Sequence, residues 1–90
     1  MNVRRTKIEI INDILRSIQN KGGKIKPTHL LYKSNLSHTK MKDYVNELKN
    51  KGMVAEELEK DKKYYRITDK GLKYIAEYKK IMEFSDSFGL

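Results

Sequence analysis

The chain has 90 residues, with 20 Lys/Arg, 12 Asp/Glu, a formal net charge of +8 and no cysteine. That length supports one small domain with a modest core, and the lack of thiols excludes disulfides, a cysteine nucleophile and cysteine-bound zinc. No apolar run approaches the roughly 20 residues of a membrane span, and the opening MNVRRTK lacks the apolar stretch of a signal peptide, so the expectation is a cytoplasmic protein with no membrane partner.

The first predicted element is a helix over Thr6–Asn20. Thr6 and Glu9 form a capping-box pattern. Ile8, Ile11, Leu15 and Ile18, flanked by Ile10 and Ile14, make an apolar face at helical spacing. Lys21-Gly22-Gly23 ends it, with Gly22 suited to a left-handed cap. A shorter helix starts at Pro27, turns Leu30 and Leu31 inward, and stops near Ser34-Asn35. Ser37 caps the third helix, along which Met41, Tyr44, Val45 and Leu48 share one side and which Gly52 closes. Met53–Leu58 and Tyr64–Ile67 carry β-type residues around the charged link Glu59–Lys63, which predicts a hairpin with a solvated tip. Thr68 caps a last helix from Asp69 to about Ser85, and Phe88-Gly89-Leu90 reads as a frayed tail.

Helix, helix, helix, hairpin, helix is the order of a winged helix-turn-helix. The predicted fold is therefore mainly α with a small β-hairpin: three helices, a two-stranded wing and a long C-terminal helix. The DNA-binding part would span 1–68, continuous with a dimerisation helix and tail over 69–90. In this plan the third helix is the element that enters a DNA major groove.

Charge agrees with that placement. Residues 1–52 hold 12 Lys/Arg against 4 Asp/Glu, whereas residues 53–90 hold 8 of each. A basic half points to a polyanion, most often nucleic acid; the alternative is a lysine-rich solubilising surface. Opposite the apolar side of the third helix lie Thr39, Asp43, Asn46 and Asn50, with Lys42 and Lys49 on one flank and Lys40 on the other. Asparagine can bond an adenine edge twice, lysine reaches guanine or phosphate, and threonine touches a base or a thymine methyl. Thr39, Lys42, Asp43 and Asn46 are the expected base contacts. Ser37 and His38 stand where a helix start favours phosphate. Asp43 and Glu47 fit only if each pairs with a lysine or accepts from a cytosine amino group. Lys24, Lys26 and Lys33 near the second helix, Lys40 and Lys49 on the third, and Lys62, Lys63 and Arg66 on the hairpin are further expected phosphate contacts. Glu56, Glu57, Glu59 and Asp61 dilute the hairpin's charge. Arg4, Arg5 and Lys7 suggest a short N-terminal arm.

His29 and His38 are the only histidines, with no spaced carboxylate pair to complete a metal site. No serine or threonine has a histidine–carboxylate relay, and no Gly-rich loop joins a strand to a helix. The expectation is a non-enzyme with no cofactor, metal or small-molecule ligand. The last helix carries more apolar surface than its own domain uses. Ile75, Tyr78 and Met82 follow a short coiled-coil spacing, with Ile81 beside them, so these four are the expected dimerisation residues; folding back on the first helix is the alternative.

Gly52-Met53-Val54 and Tyr65-Arg66-Ile67-Thr68-Asp69-Lys70-Gly71 resemble the archaeal winged-helix regulators. KIEIINDIL and NLSHTKMKDYVNELKNKGMV are similar to small dimeric archaeal DNA-binding proteins of the chromatin type, whose C-terminal helices pair as an antiparallel coiled coil. The resemblance covers residues 4–82 and implies a cytoplasmic, nucleoid-associated homodimer on double-stranded DNA. The last helix here is shorter than the coiled coil of the chromatin type. Three functions follow as expectations: a dimeric transcriptional regulator first, a sequence-tolerant architectural protein second, and a winged-helix protein-interaction module third.

Overall fold

A computed structural model describes residues 5–89. Helix α1, Lys7–Asn20, begins at the expected reciprocal capping box between Thr6 and Glu9. Its buried stripe is Ile11, Ile14, Leu15 and Ile18. Ile8, expected on that stripe, is 50% exposed: it sits in the first turn, past the edge of the core. Gly22 and Gly23 both take positive φ, and the Gly23 amide donates back to the Ile18 carbonyl at 3.0 Å, which stops the helix and reverses the chain.

The next two residues form a strand the periodicity did not predict. Strand β1, Lys24–Ile25, pairs antiparallel with the later strand β3, Lys62–Ile67, which also pairs with β2, Val54–Glu59. The expected two-stranded wing, β2 and β3, is thus extended at its base by β1 into a three-stranded sheet in the order β1-β3-β2. Two residues are too short to display a period of two.

Helix α2, Pro27–Ser34, buries Leu30 and ends at Asn35, which is left-handed at φ 54°. Helix α3, His38–Asn50, starts at Ser37, whose hydroxyl accepts from the Lys40 amide, and buries Met41, Val45 and Leu48. The hairpin differs from its expected form. Its link is not five residues but the two-residue turn Lys60-Asp61, both at positive φ, the backbone that matches strand twist. Lys62 and Lys63 therefore belong to β3.

Helix α4, Asp69–Ser87, starts at Thr68 and runs past the expected end. The predicted frayed tail is partly ordered: Phe88 caps the helix, with its ring centroid 4.9 Å from that of Phe84; Leu90 lies outside the described residues. The Thr68 hydroxyl accepts from the Gly71 amide and donates to the Gly52 carbonyl at 2.6 Å, tying the end of the wing to the end of α3. The core joins the α1 stripe to Ile25, Leu30, Met41, Val45, Leu48, Val54, Tyr65 and Ile67. Among the described residues no helix is long and apolar enough to cross a membrane.

Candidate nucleic-acid interface

Burial of Met41, Val45 and Leu48 fixes which side of α3 faces out. Thr39, Lys42, Asp43, Asn46 and Asn50 are all exposed, and their spacings of three and four place them in one stripe. His38 and Lys40 are exposed at the start of the helix, beside the Ser37 cap.

The turn leading into α3 is clamped from below. Arg5 Nη1 lies 2.9 Å from Asp13 Oδ2 on α1, and its Nη2 donates to the buried Ser34 carbonyl at 2.9 Å. Lys7 is also engaged at the surface, its ammonium 2.7 Å from Glu47 on α3. Arg5 and Lys7 therefore do not form a free arm, and Arg4 lies outside the described residues. The hydrogen bond from Lys7 holds the Glu47 carboxyl below the usual carboxylate range and raises the lysine. One of the two acids on α3 is thus neutralised, while Asp43 has no ion pair among the described residues.

The expected phosphate contacts fall into two groups. Lys26, Lys33, Lys40 and Lys62 are exposed and make no ion pair among the described residues. Lys26 occupies the N-cap of α2, which has no side-chain acceptor on its first amides. In the second group, Lys24, Lys49, Lys63 and Arg66 are each bound to a carboxylate of β2. Glu56 takes Lys49 at 2.5 Å and Lys63 at 3.2 Å; Glu57 takes Arg66 Nη2 at 2.6 Å; Glu59 takes Lys24, whose ammonium also lies 5.0 Å from the Tyr64 ring centroid.

His29 and His38 are both exposed, and no group of three metal-ligating side chains occurs among the described residues. Tyr32 was not singled out by sequence reasoning, yet it is 89% exposed on α2 beside Lys33. Its signal was an aromatic lying off the Leu30–Leu31 side.

A second feature lies between α1 and α4. Asn12, Arg16, Gln19, Ile75, Tyr78, Lys79 and Met82 line an open groove of about 460 Å³. Ile75 and Tyr78 are half-buried there, whereas Met82 is more exposed and Ile81 is 55% exposed. Asn12 is buried, and its Oδ1 has no hydrogen-bond donor among the described residues, a costly state for an enclosed carbonyl. Nothing in the sequence marks it, because an asparagine in an isoleucine-rich helix reads as surface.

The sequence matches the winged helix-turn-helix family over residues 4–86. Among solved structures, the chain is similar to Sso10a-2, a DNA-binding protein from Sulfolobus solfataricus, at 25% identity and a TM-score of 0.79, covering 93% of this chain and 85% of that one. It is also similar to F93 from STIV, a winged-helix DNA-binding protein, at 19% identity and 0.70, covering 89% and 92%. A MarR family protein from Bacillus stearothermophilus matches at 20% and 0.71, covering 96% of this chain but only 61% of that one. No curated protein matches in sequence. With the family pattern spanning nearly all of the chain and the element order agreeing, the protein belongs to the winged helix-turn-helix family and has the fold of DNA-binding transcriptional regulators.

Proposed function

We propose that this protein is a cytoplasmic, non-enzymatic DNA-binding regulator that inserts α3 into the major groove and acts as a homodimer. The observation that carries this reading is the exposed stripe Thr39–Lys42–Asp43–Asn46 on the third helix, with unpaired Lys40 beside it. Thr39, Lys42, Asp43 and Asn46 contact bases, with Asp43 suited to a cytosine amino group. Lys26, Lys33, Ser37, His38, Lys40 and Lys62 meet phosphates and fix the register on the duplex. The DNA-binding description of Sso10a-2 supports the partner class.

Dimerisation is assigned to α4, through Ile75, Tyr78, Ile81 and Met82. An apolar strip of this kind on a monomer is a liability, and the groove beside it holds the unpartnered Asn12 carbonyl oxygen. A second copy packed along α4 buries the strip. The second reading, a sequence-tolerant nucleoid protein, is favoured by the unpaired lysines on α2 and α3. Affinity for random and genomic duplexes across a salt series separates the two. A ratio of 10³ or more, on the scale of specific binders, fits a regulator; a ratio near one fits the architectural protein. Absence of any salt dependence removes DNA as the partner.

A further inference from the structure

The acids of the wing are not scattered. β2 carries Glu56, Glu57 and Glu59, and β3 faces it with Lys63 and Arg66. Residues paired across an antiparallel ladder project to the same side. Val54, Glu56 and Leu58 share one face of the ribbon with Lys63, Tyr65 and Ile67; Ala55, Glu57 and Glu59 share the other with Lys62, Tyr64 and Arg66. Each face holds its own lock. On the first, Glu56 bridges Lys63 to Lys49 of α3. On the second, Glu57 holds Arg66, and Glu59 reaches across β3 to Lys24 of β1.

We propose that Glu56, Glu57 and Glu59 act as an internal polyanion that tempers overall DNA affinity, withholding Lys24, Lys49, Lys63 and Arg66 from DNA phosphate. A carboxylate offers these cations the same charge and acceptor geometry as a phosphate oxygen, and it is already in place at hydrogen-bonding distance. Four positive charges on the sheet and in the last turn of α3 would otherwise add contacts that favour every sequence equally. With them occupied, every duplex is held less tightly, and the α3 stripe supplies a larger share of the affinity that remains. The depressed Glu56 and Glu59 carboxyls agree with this occupancy.

The inference rests on the DNA-binding reading, so the test carries its own reference. Salt-dependent binding to random duplex DNA is measured for the wild-type chain, for E56Q/E57Q/E59Q, and for E77Q/E83Q/D86N, which makes the same change in net charge far along α4. The wing variant should steepen the log K against log salt slope by about two to four units, at about 0.9 per phosphate gained. Its random-DNA affinity at low salt should rise on the order of tenfold or more, with the cognate-to-random ratio unchanged, since each mobilised contact adds sequence-independent affinity. The α4 variant should shift the slope by less than about one unit. Equal steepening in both variants, or none in the wing variant, overturns the proposal. If the triple substitution unfolds the ribbon, Glu57→Gln alone frees Arg66 and should steepen the slope by about one unit; an unchanged slope there is equally fatal. Carboxylates that merely brace the hairpin would lower the melting temperature and leave the slope alone. A wild-type chain with no salt-dependent binding overturns the DNA reading itself, and this inference with it.

Discussion

Asn46 and Lys40 are both exposed on α3, and the two side chains are assigned different tasks. A bidentate asparagine discriminates one base pair, whereas a lysine on phosphate favours all sequences alike. Asn46→Ala should therefore cost about 1–3 kcal/mol on a cognate site and little on random DNA. Lys40→Ala should weaken both and flatten the salt slope by about one unit. Competition titrations with single-base variants of the site check the first, and a salt series checks the second. Glu47 gives a prediction in pH. Its folded pKa lies below the ordinary 4.5, so the stabilisation from Lys7 is in place above that value and is lost as acid protonates the carboxylate. Lys7, raised above 10.5, keeps its share until the pH climbs past its folded value. Wild type should melt slightly above Glu47→Gln at neutral pH, and the two curves should converge below the carboxylate range; a constant gap would show that the pair is not its source. The α3 stripe was legible in the sequence because a 3.6-residue period fixes which side chains face out. The carboxylate pairs of the wing were not, because they depend on strand register, and a slip of one residue sends every side chain to the opposite face.

Elements with a marked beginning were the easiest to read. Thr6, Ser37 and Thr68 each precede a helix and each accepts from an amide within its first turn. What escaped was geometry without a local sign. Strand β1 exists only because β3 returns beside it, and the Lys60-Asp61 turn lacks the glycine that usually marks positive φ. The junction of α4 with the wing shows how tightly these elements are set. A Cβ built on Gly71 would lie 2.5 Å from the Met53 carbonyl oxygen and 2.7 Å from Ile67 Cγ1. Alanine normally gains about 1 kcal/mol over glycine inside a helix. Here the contact is with backbone that Thr68 already pins through the Met53 carbonyl, and overpacking typically costs about 1–3 kcal/mol. The clash should outweigh the propensity, so Gly71→Ala should lower stability in chemical denaturation by about 1–2 kcal/mol. A stabilised variant would mean that α4 can slide away from the sheet without loss.

At the scale of the whole molecule, α4 reaches well beyond the core it helps to cover. Its first turns are locked to the sheet by Gly71 and packed on the core by Tyr74 and Ile75. The remaining turns carry Ile81, Phe84 and Phe88 largely in solvent. Folding back on α1, the alternative weighed from the sequence, is realised only as far as Tyr78 and the edge of Met82, where the groove begins. Burying an exposed isoleucine or phenylalanine is worth about 1.5–3 kcal/mol per side chain, so a two-fold pairing of α4 gains several such terms from each copy. It also brings a second recognition helix onto the same duplex, so two weak contacts act as one strong one. Ile81→Lys with Met82→Lys should leave a folded 10.6 kDa monomer, because neither side chain belongs to the buried core. Its DNA affinity should drop by roughly 10²-fold or more as the linked half-site is lost. Sedimentation of the wild-type chain at micromolar concentration decides the matter. Twice the monomer mass supports the pairing; a monomer with intact helix content leaves α4 unpaired and requires each chain to bind its site alone.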